Sequence, residues 1–343
     1  MRLSDLLAVP DARRSAIRGF SQELRAGRAV ALCTHINSDG DGCGSEVALA
    51  RLLAQLGIEA RIANPTPWPS MFDFLLGDDV RNESEDAEKA IRAADLIIVL
   101  DINDLRRLGP LGPVVRASSA TKIVIDHHIP SDVAISGQGL CDTAACATGE
   151  LIYDLAAVLE LELTEPVAEA LYVALLTDTG GFRFSNTSAR CHAIAGALLA
   201  AGVDPEAMYR RIYASVPIGR LHLLRDALAT LEVDPEYGIA WISVEAGAPE
   251  THGLKSEDLD GIAEHPRSVA GTKLAIFFRD LGHGKVRVSF RSAGEVDVNA
   301  FSKEFGGGGH AKASGALIAG TLEEVRHDVV AAARVFLQQP AAS

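Results

Sequence analysis

The chain has 343 residues, 48% of them hydrophobic, and a formal net charge of −14. That length can bury a large core and divides most naturally into two domains, while the acidic balance excludes a long nucleic-acid duplex gripped through its phosphates. No apolar run approaches the ~18 residues of a membrane span, the start Met1-Arg2-Leu3-Ser4-Asp5 has no signal-type apolar stretch, and Cys33, Cys43, Cys141, Cys146 and Cys191 form neither a disulfide framework nor a convincing zinc site. The expectation is a cytoplasmic protein with no membrane partner.

Apolar runs and helical patterns alternate from the start to about residue 203. Ala29-Val30-Ala31-Leu32 reads as a buried strand leading into Thr34-His35-Ile36-Asn37-Ser38-Asp39-Gly40-Asp41-Gly42. Ser45 to Leu56 then carries Val47, Ala48, Leu52 and Leu56 at helical spacing and stops at Gly57. After a helical stretch at Ala87 to Ala94, Leu96 to Leu100 delivers Asp101, and Lys122 to Ile125 delivers Asp126-His127-His128. A helix follows over Thr148 to Leu161, and the apolar stretch Leu171 to Leu176 reads as a fourth strand, ahead of Thr177-Asp178. Ala189 to Ala201 closes this region as a helix. Such alternation predicts an α/β fold, a parallel sheet with helices on both faces and its functional groups at the carboxyl ends of the strands.

Residues 206 to 231 read as mostly helical, interrupted near Pro217, and the grammar then changes. Ile239 to Val244, Lys273 to Phe278 and Val286 to Phe290 read as strands, Val296 to Phe305 as a short helix, Leu317 to Ala319 as a strand and Leu322 to Leu337 as a terminal helix. The predicted organisation is a first domain over 1–203, a helical connector over 204–232 and a smaller α/β domain over 233–343. Residues 271–318 hold seven basic side chains against four acidic ones. A small anionic ligand therefore suits that segment.

His35, Asp39 and Asp41 stand as H-x3-D-x-D on a glycine-rich segment, where Gly40, Gly42 and Gly44 permit tight turns that let the three side chains converge. An ordinary Asp-Gly turn would look the same in isolation. A calcium EF-hand is excluded, because Ala50 stands where its bidentate Glu is needed. Asp101 alone could be a helix cap, and His127 or His128 alone an ordinary polar residue. Together with Asp178 they make a mixed imidazole and carboxylate set that suits two divalent cations, Mn²⁺ or Mg²⁺.

In the second region, Gly306 to Gly309 precede His310 and Lys312. The segment is not a Walker A loop, since Lys312 follows Ala311 and an apolar strand comes next. It reads either as a flexible linker or as exposed N–H groups, including those of Gly308 and Gly309, wrapping an anion. Arg291 is the companion candidate, because a guanidinium grips phosphate bidentately. Ser292, Asn299 and Lys312 are further substrate-binding candidates, as are Arg183 and Asn186 near the metals.

In these motifs the chain resembles the DHH phosphoesterase superfamily, through Asp126-His127-His128 and the H-x-N-x-D-G-D of His35 to Asp41. Phe290 to Gly294, Val298-Asn299 and Gly306 to Gly315 resemble its type-one DHH-associated domain. Ser38 departs from the commoner proline at a position that is not a ligand. The layout is nearest the bacterial NrnA-type oligoribonucleases that also dephosphorylate 3′-phosphoadenosine 5′-phosphate. The resemblance implies a catalytic metal-binding first domain and a substrate-binding second one, in which Arg291 and the Gly306–His310 loop grip the substrate. One cation would be held by His35, Asp39 and Asp101, the other by Asp41, Asp101, His127 and Asp178, with Mn²⁺ favoured. His128 would contact the reacting phosphate, and Asp126 would accept a hydrogen bond that orients an imidazole. The implied reaction is hydrolysis of short RNA to mononucleotides and of 3′-phosphoadenosine 5′-phosphate to AMP, by water that two cations activate. A cyclic or linear dinucleotide is the alternative substrate, and a non-catalytic nucleotide-binding module the alternative class. A pyrophosphatase lacks the glycine loop, and a long-strand exonuclease conflicts with the charge. The resemblance also implies a homodimer.

Overall fold

The computed structural model describes residues 2–259, 261–309 and 311–338. Two compact units divide between Ala214 and Ser215. In the first, a parallel six-stranded sheet runs in the order β3-β2-β1-β4-β5-β6. Its strands are β1 (Val30–Cys33), β2 (Ala60–Ile62), β3 (Arg81–Asn82), β4 (Leu96–Leu100), β5 (Thr121–Asp126) and β6 (Gln138–Cys141). The helices are α1 (Leu3–Leu7), α2 (Asp11–Phe20), α3 (Gly40–Gln55), α4 (Asp73–Leu76), α5 (Ala87–Ala93), α6 (Leu111–Ala117), α7 (Thr148–Val158), α8 (Glu165–Asp178), α9 (Ala189–Ala200) and α10 (Pro205–Tyr213).

The central strands lack apolar alternation because both of their faces are covered. Val30, Leu32, Leu96, Ile98, Leu100, Ile123 and Ile125 face a large core shared with α3, α7 and α8, while Ala31, Cys33, Ile97, Val99 and Val124 pack against α5 and α6. Strand order reverses direction between β1 and β4. Their carboxyl ends, with that of β5, therefore open where a crevice forms in such sheets.

One predicted element is wrong in kind. Leu171 to Leu176 lies inside α8, which is buried on nearly every side from Val167 to Leu176, so no amphipathic period is left to distinguish helix from strand. The helix is favoured by Ala168, Ala170 and Ala174 and by Pro166 in its first turn. Asp178 thus reaches the sheet edge from a helix carboxyl terminus. The glycine-rich segment also differs from its reading as a turn, since Gly40 to Gly44 form the opening of α3. Close packing on α8 is what Gly44 serves: a Cβ there would stand 2.4 Å from the Ala170 carbonyl oxygen. Gly44→Ala should lower unfolding free energy by about 1–3 kcal/mol, as overpacking does, in a urea titration; an unchanged midpoint would contradict this packing argument.

The second unit has a six-stranded sheet in the order β11-β12-β10-β9-β8-β7. Its strands are β7 (Glu232–Asp234), β8 (Ile239–Val244), β9 (Leu274–Asp280), β10 (Lys285–Ser292), β11 (Gly308–Gly309) and β12 (Ala313–Ala319). Among the described residues only β8 and β9 pair in parallel. Its helices are α11 (Ile218–Ala229), α12 (Ala248–Thr251), α13 (Glu264–Arg267), α14 (Val298–Lys303) and α15 (Leu322–Gln338). One sheet face buries Ile276, Phe278, Val288 and Phe290 against Phe301 and Val329, and the other packs Ile242, Val244 and Phe277 against Leu223 of α11. The residues read as a connector are thereby shared, α10 lying in the first unit and α11 in the second. Among the described residues no helix is long and apolar enough to cross a membrane.

Candidate metal centre

Three strand ends and two helix ends converge in the first unit. Asp39 follows β1 and caps α3: its Oδ1 accepts from the N–H of Asp41 at 3.0 Å and of Gly42 at 3.2 Å, while Oδ2 lies 3.8 Å from His35 Nε2. Asp101 follows β4 at φ 60, a left-handed conformation rarely adopted outside glycine. Its Oδ2 is 3.3 Å from His35 Nε2, and its Oδ1 is 3.6 Å from His127 Nε2 and 3.7 Å from His128 Nδ1. His127 Nε2 also lies 3.7 Å from Asp41 Oδ2 and 3.6 Å from Asp178 Oδ2. Three groups could each hold a cation: His35, Asp39 and Asp101; Asp41, His127 and Asp178; and Asp101, His127 and His128.

The tautomers test whether cations fit. His35 Nδ1 faces the Ile36 carbonyl at 2.9 Å and His127 Nδ1 faces that of Ala145 at 3.3 Å, so each ring donates there. That leaves both Nε2 atoms buried, without a hydrogen-bond partner, and turned toward carboxylates. Lone pair faces lone pair unless positive charge lies between. Mixed imidazole and carboxylate donors suit Mn²⁺ or Mg²⁺ sites.

The electrostatics make the same demand. Burial and the charge of Asp101 push the Asp41 and Asp178 carboxyls well above the usual range. Burial also works against Asp101, but His35, His128 and His127 hold its carboxyl well below that range. For His35, Asp101 and Asp39 overcome desolvation and raise the ring to about 9; Asp41 and Asp101 likewise raise His127. Crowded carboxylates thus take up protons or bind cations.

Other side chains orient this set. Thr148 N–H and Gly149 N–H at the start of α7 donate to Asp41 at 2.6 and 2.9 Å, Ser45 Oγ adds a bond at 3.1 Å, and Thr148 Oγ1 donates to Asp101 at 3.1 Å. A helix amino terminus here stabilises a carboxylate. Asp126 is fully buried and accepts from Asn103 and from His128, whose Nδ1 is 2.7 Å away, so the imidazole it orients is that of His128. Asn186 donates to the Cys146 carbonyl at 2.8 Å and to Asp178 Oδ2 at 3.3 Å, and Arg183 is exposed with its Nε on the Gly180 carbonyl. Thr148, Gly149, Ser45 and Asn103 were not singled out from the sequence. Thr148 does carry a signal, since it opens a predicted helix, where unpaired N–H groups attract an anion.

Behind the centre, Glu46 of α3 is fully buried and accepts from Asn64 Nδ2 at 2.8 Å, while Asn64 Oδ1 accepts from Thr34 N–H. Burial raises this carboxyl to about 8 against the opposing pull of Asn64 and His35. A carboxyl raised on folding favours the folded state at low pH and loses that contribution as pH rises toward the folded value. In metal-free protein, Glu46→Gln should therefore gain stability relative to the parent between about pH 5 and 8. Urea titrations across that window check it; a parallel pH dependence in both proteins would contradict it.

In the second unit the substrate-binding candidates make contacts within the chain. Arg291 donates through Nε to Glu264 at 2.8 Å and through Nη1 to its neighbouring carbonyl, Phe290, at 3.1 Å. Ser292 is buried, with its hydroxyl on the carbonyls of Val296 and Ala311, and Lys312 Nζ donates to the carbonyls of Gly294 and Val296. Both order their loop. Asn299 is half-buried at the start of α14, and Gly308 and Gly309 are exposed but paired with Gly315 and Ser314 of β12 rather than forming a linker. His310 lies outside the described residues.

Residues 29–175 match the DHH family, N-terminal domain, and residues 239–339 match the DHHA1 domain. A Thermus thermophilus protein named bifunctional oligoribonuclease and PAP phosphatase NrnA is 31% identical over 308 residues, covering 89% of each chain. A Bacillus subtilis protein of the same name is 28% identical over 84% of this chain and 89% of its own. The crystal structure of an exopolyphosphatase-related protein from Bacteroides fragilis is similar with a TM-score of 0.86, at 28% identity, over 95% of this chain and 98% of that one. With its strand-end aspartates and histidines gathered on one sheet, this chain belongs to the DHH family, a DHHA1 domain following its DHH domain.

Proposed function

We propose that this chain is a two-metal phosphohydrolase that degrades short oligoribonucleotides to mononucleotides and removes phosphate from 3′-phosphoadenosine 5′-phosphate. The observation that carries the reading is the pair of buried Nε2 atoms, on His35 and His127, that meet carboxylates instead of hydrogen-bond donors. The names of the Thermus and Bacillus relatives supply the substrate class. His35, Asp39 and Asp101 are assigned to one cation, and Asp41, Asp101, His127 and Asp178 to the other, with Mn²⁺ as the working ion. When bound, the cations supply an activated water and charge stabilisation at phosphorus, so no covalent nucleophile is required. His128, oriented by Asp126, is assigned to the reacting phosphate.

We assign substrate grip to the second unit, through Arg291 and the glycine segment. The five cysteines are free, four of them buried, which suits a reducing cytoplasm. A homodimer is the expected assembly, to be measured by sedimentation. The deciding experiment is turnover with Mn²⁺ against two- to five-residue RNA, 3′-phosphoadenosine 5′-phosphate, cyclic di-adenylate, its linear form and pyrophosphate. Preferential cleavage of short RNA supports the proposal. Preference for the cyclic dinucleotide, or nucleotide binding without turnover, would overturn it.

A further inference from the structure

Arg107 lies in the turn after Asp101 and is half-buried. Its carbonyl accepts from the Ile36 N–H at 2.9 Å, which ties this turn to the loop bearing His35. Its Nη1 lies 3.2 Å from His128 Nε2. Because Asp126 takes the Nδ1 proton of His128, Nε2 is the accepting nitrogen and the guanidinium is the donor.

The neighbouring residue provides a contrast. Arg106 is largely exposed, and the Asp104 carboxylate neutralises it through Nε and Nη2. Arg107 has no carboxylate partner among the described residues; the His128 ring is its one side-chain hydrogen bond there. A guanidinium has five N–H donors in a planar fork suited to phosphate oxygens. A partly buried cation that is not paired with a carboxylate, though carboxylates crowd the adjoining centre, is available to an anion from outside the chain.

We infer that Arg107 is a phosphate-binding residue of this centre, gripping a non-bridging oxygen of the substrate phosphate beside His128. The inference rests on the phosphohydrolase reading above, and its chemistry is that of any phosphate ester or inorganic phosphate. In the bound state one N–H of the guanidinium stays on His128 Nε2 while the others reach the phosphate oxygen, so the imidazole positions the guanidinium. No covalent step is involved.

The test uses the full Mn²⁺-loaded chain with Arg107→Ala, Arg107→Lys and, as control, Arg106→Ala. Turnover of a linear dinucleotide and inhibition by inorganic phosphate are read alongside Mn²⁺ affinity and melting temperature. Arg107→Ala should lose about 100-fold in kcat/KM, as loss of one preorganised donor to a reacting oxyanion does. Its inhibition constant for phosphate should rise at least about tenfold, with Mn²⁺ affinity and melting unchanged. Added guanidinium ion should restore part of its activity, Arg107→Lys should fall between, and Arg106→Ala should match the parent. Parent-like turnover and phosphate inhibition in Arg107→Ala would overturn the inference, and so would a loss that follows Mn²⁺ affinity. Should the parent not turn over the dinucleotide, the functional reading fails separately. Calorimetric binding of inorganic phosphate to the Mn²⁺-loaded parent and Arg107→Ala then decides the role of Arg107.

Discussion

Asp101→Asn should cut turnover by at least about 1,000-fold, beyond the ~10- to 100-fold typical of losing a group that only orients a ligand. It should also reduce the bound Mn²⁺ below that of the parent. Asp101 is the carboxylate that reaches both histidines, Oδ2 to His35 at 3.3 Å and Oδ1 to His127 at 3.6 Å. An amide keeps the shape but presents an N–H where a lone pair is needed and removes a carboxylate that the surrounding imidazoles hold ionised. Asparagine tolerates the left-handed φ of 60 that this position adopts, so the fold should persist. Circular dichroism and metal content by elemental analysis separate the two effects. Parent-like activity with full metal content would remove Asp101 from the centre.

The largest effect on stability is expected away from the metals. Arg13 of α2 is buried and donates to Asp142 at 2.6 Å, Glu150 at 2.6 Å and Asp154 at 2.8 Å, while Arg190 bridges the last two from α9. Desolvation opposes the charge of Arg13, but these three carboxylates outweigh it and raise its pKa above that of a free guanidinium. Arg13→Met leaves the buried carboxylates of Glu150 and Asp154 with Arg190 alone and should cost about 3–5 kcal/mol. Because a stranded carboxylate titrates upward, the deficit should narrow as pH falls and widen as it rises. The network also steadies the α7 amino terminus. Glu150 accepts the Cys146 N–H at 3.1 Å, and the adjoining Thr148 and Gly149 N–H groups hold Asp41. Mn²⁺ affinity should therefore weaken together with stability. Denaturant titrations at several pH values and Mn²⁺ calorimetry check both; a loss below about 1 kcal/mol would place the network among weakly contributing ion pairs.

The limits of the sequence lie at identifiable residues. Runs such as Leu96 to Leu100 were readable as strands, because a sheet buried on both faces needs unbroken apolar stretches. The same rule misled at Leu171 to Leu176, since α8 is enclosed as completely as a central strand and only its alanines and Pro166 marked it as helical. Gly44 was read through backbone freedom, whereas its role is the approach of α3 to α8. Arg13, Arg107 and Asn103 carry no local pattern at all.

By itself the sequence determined the kinds of ligand and where they would cluster, because strand polarity in a parallel sheet sends the residues after β1, β4 and β5 to one edge. Tertiary structure alone decided which atoms face inward. The carbonyls of Ile36 and Ala145 select the histidine tautomers, α7 turns its amino terminus onto Asp41, and Glu264 engages Arg291. Each of those choices depends on a partner far away in the chain or on local backbone geometry, and spacing along a sequence does not encode which lone pair a distant carbonyl will leave exposed.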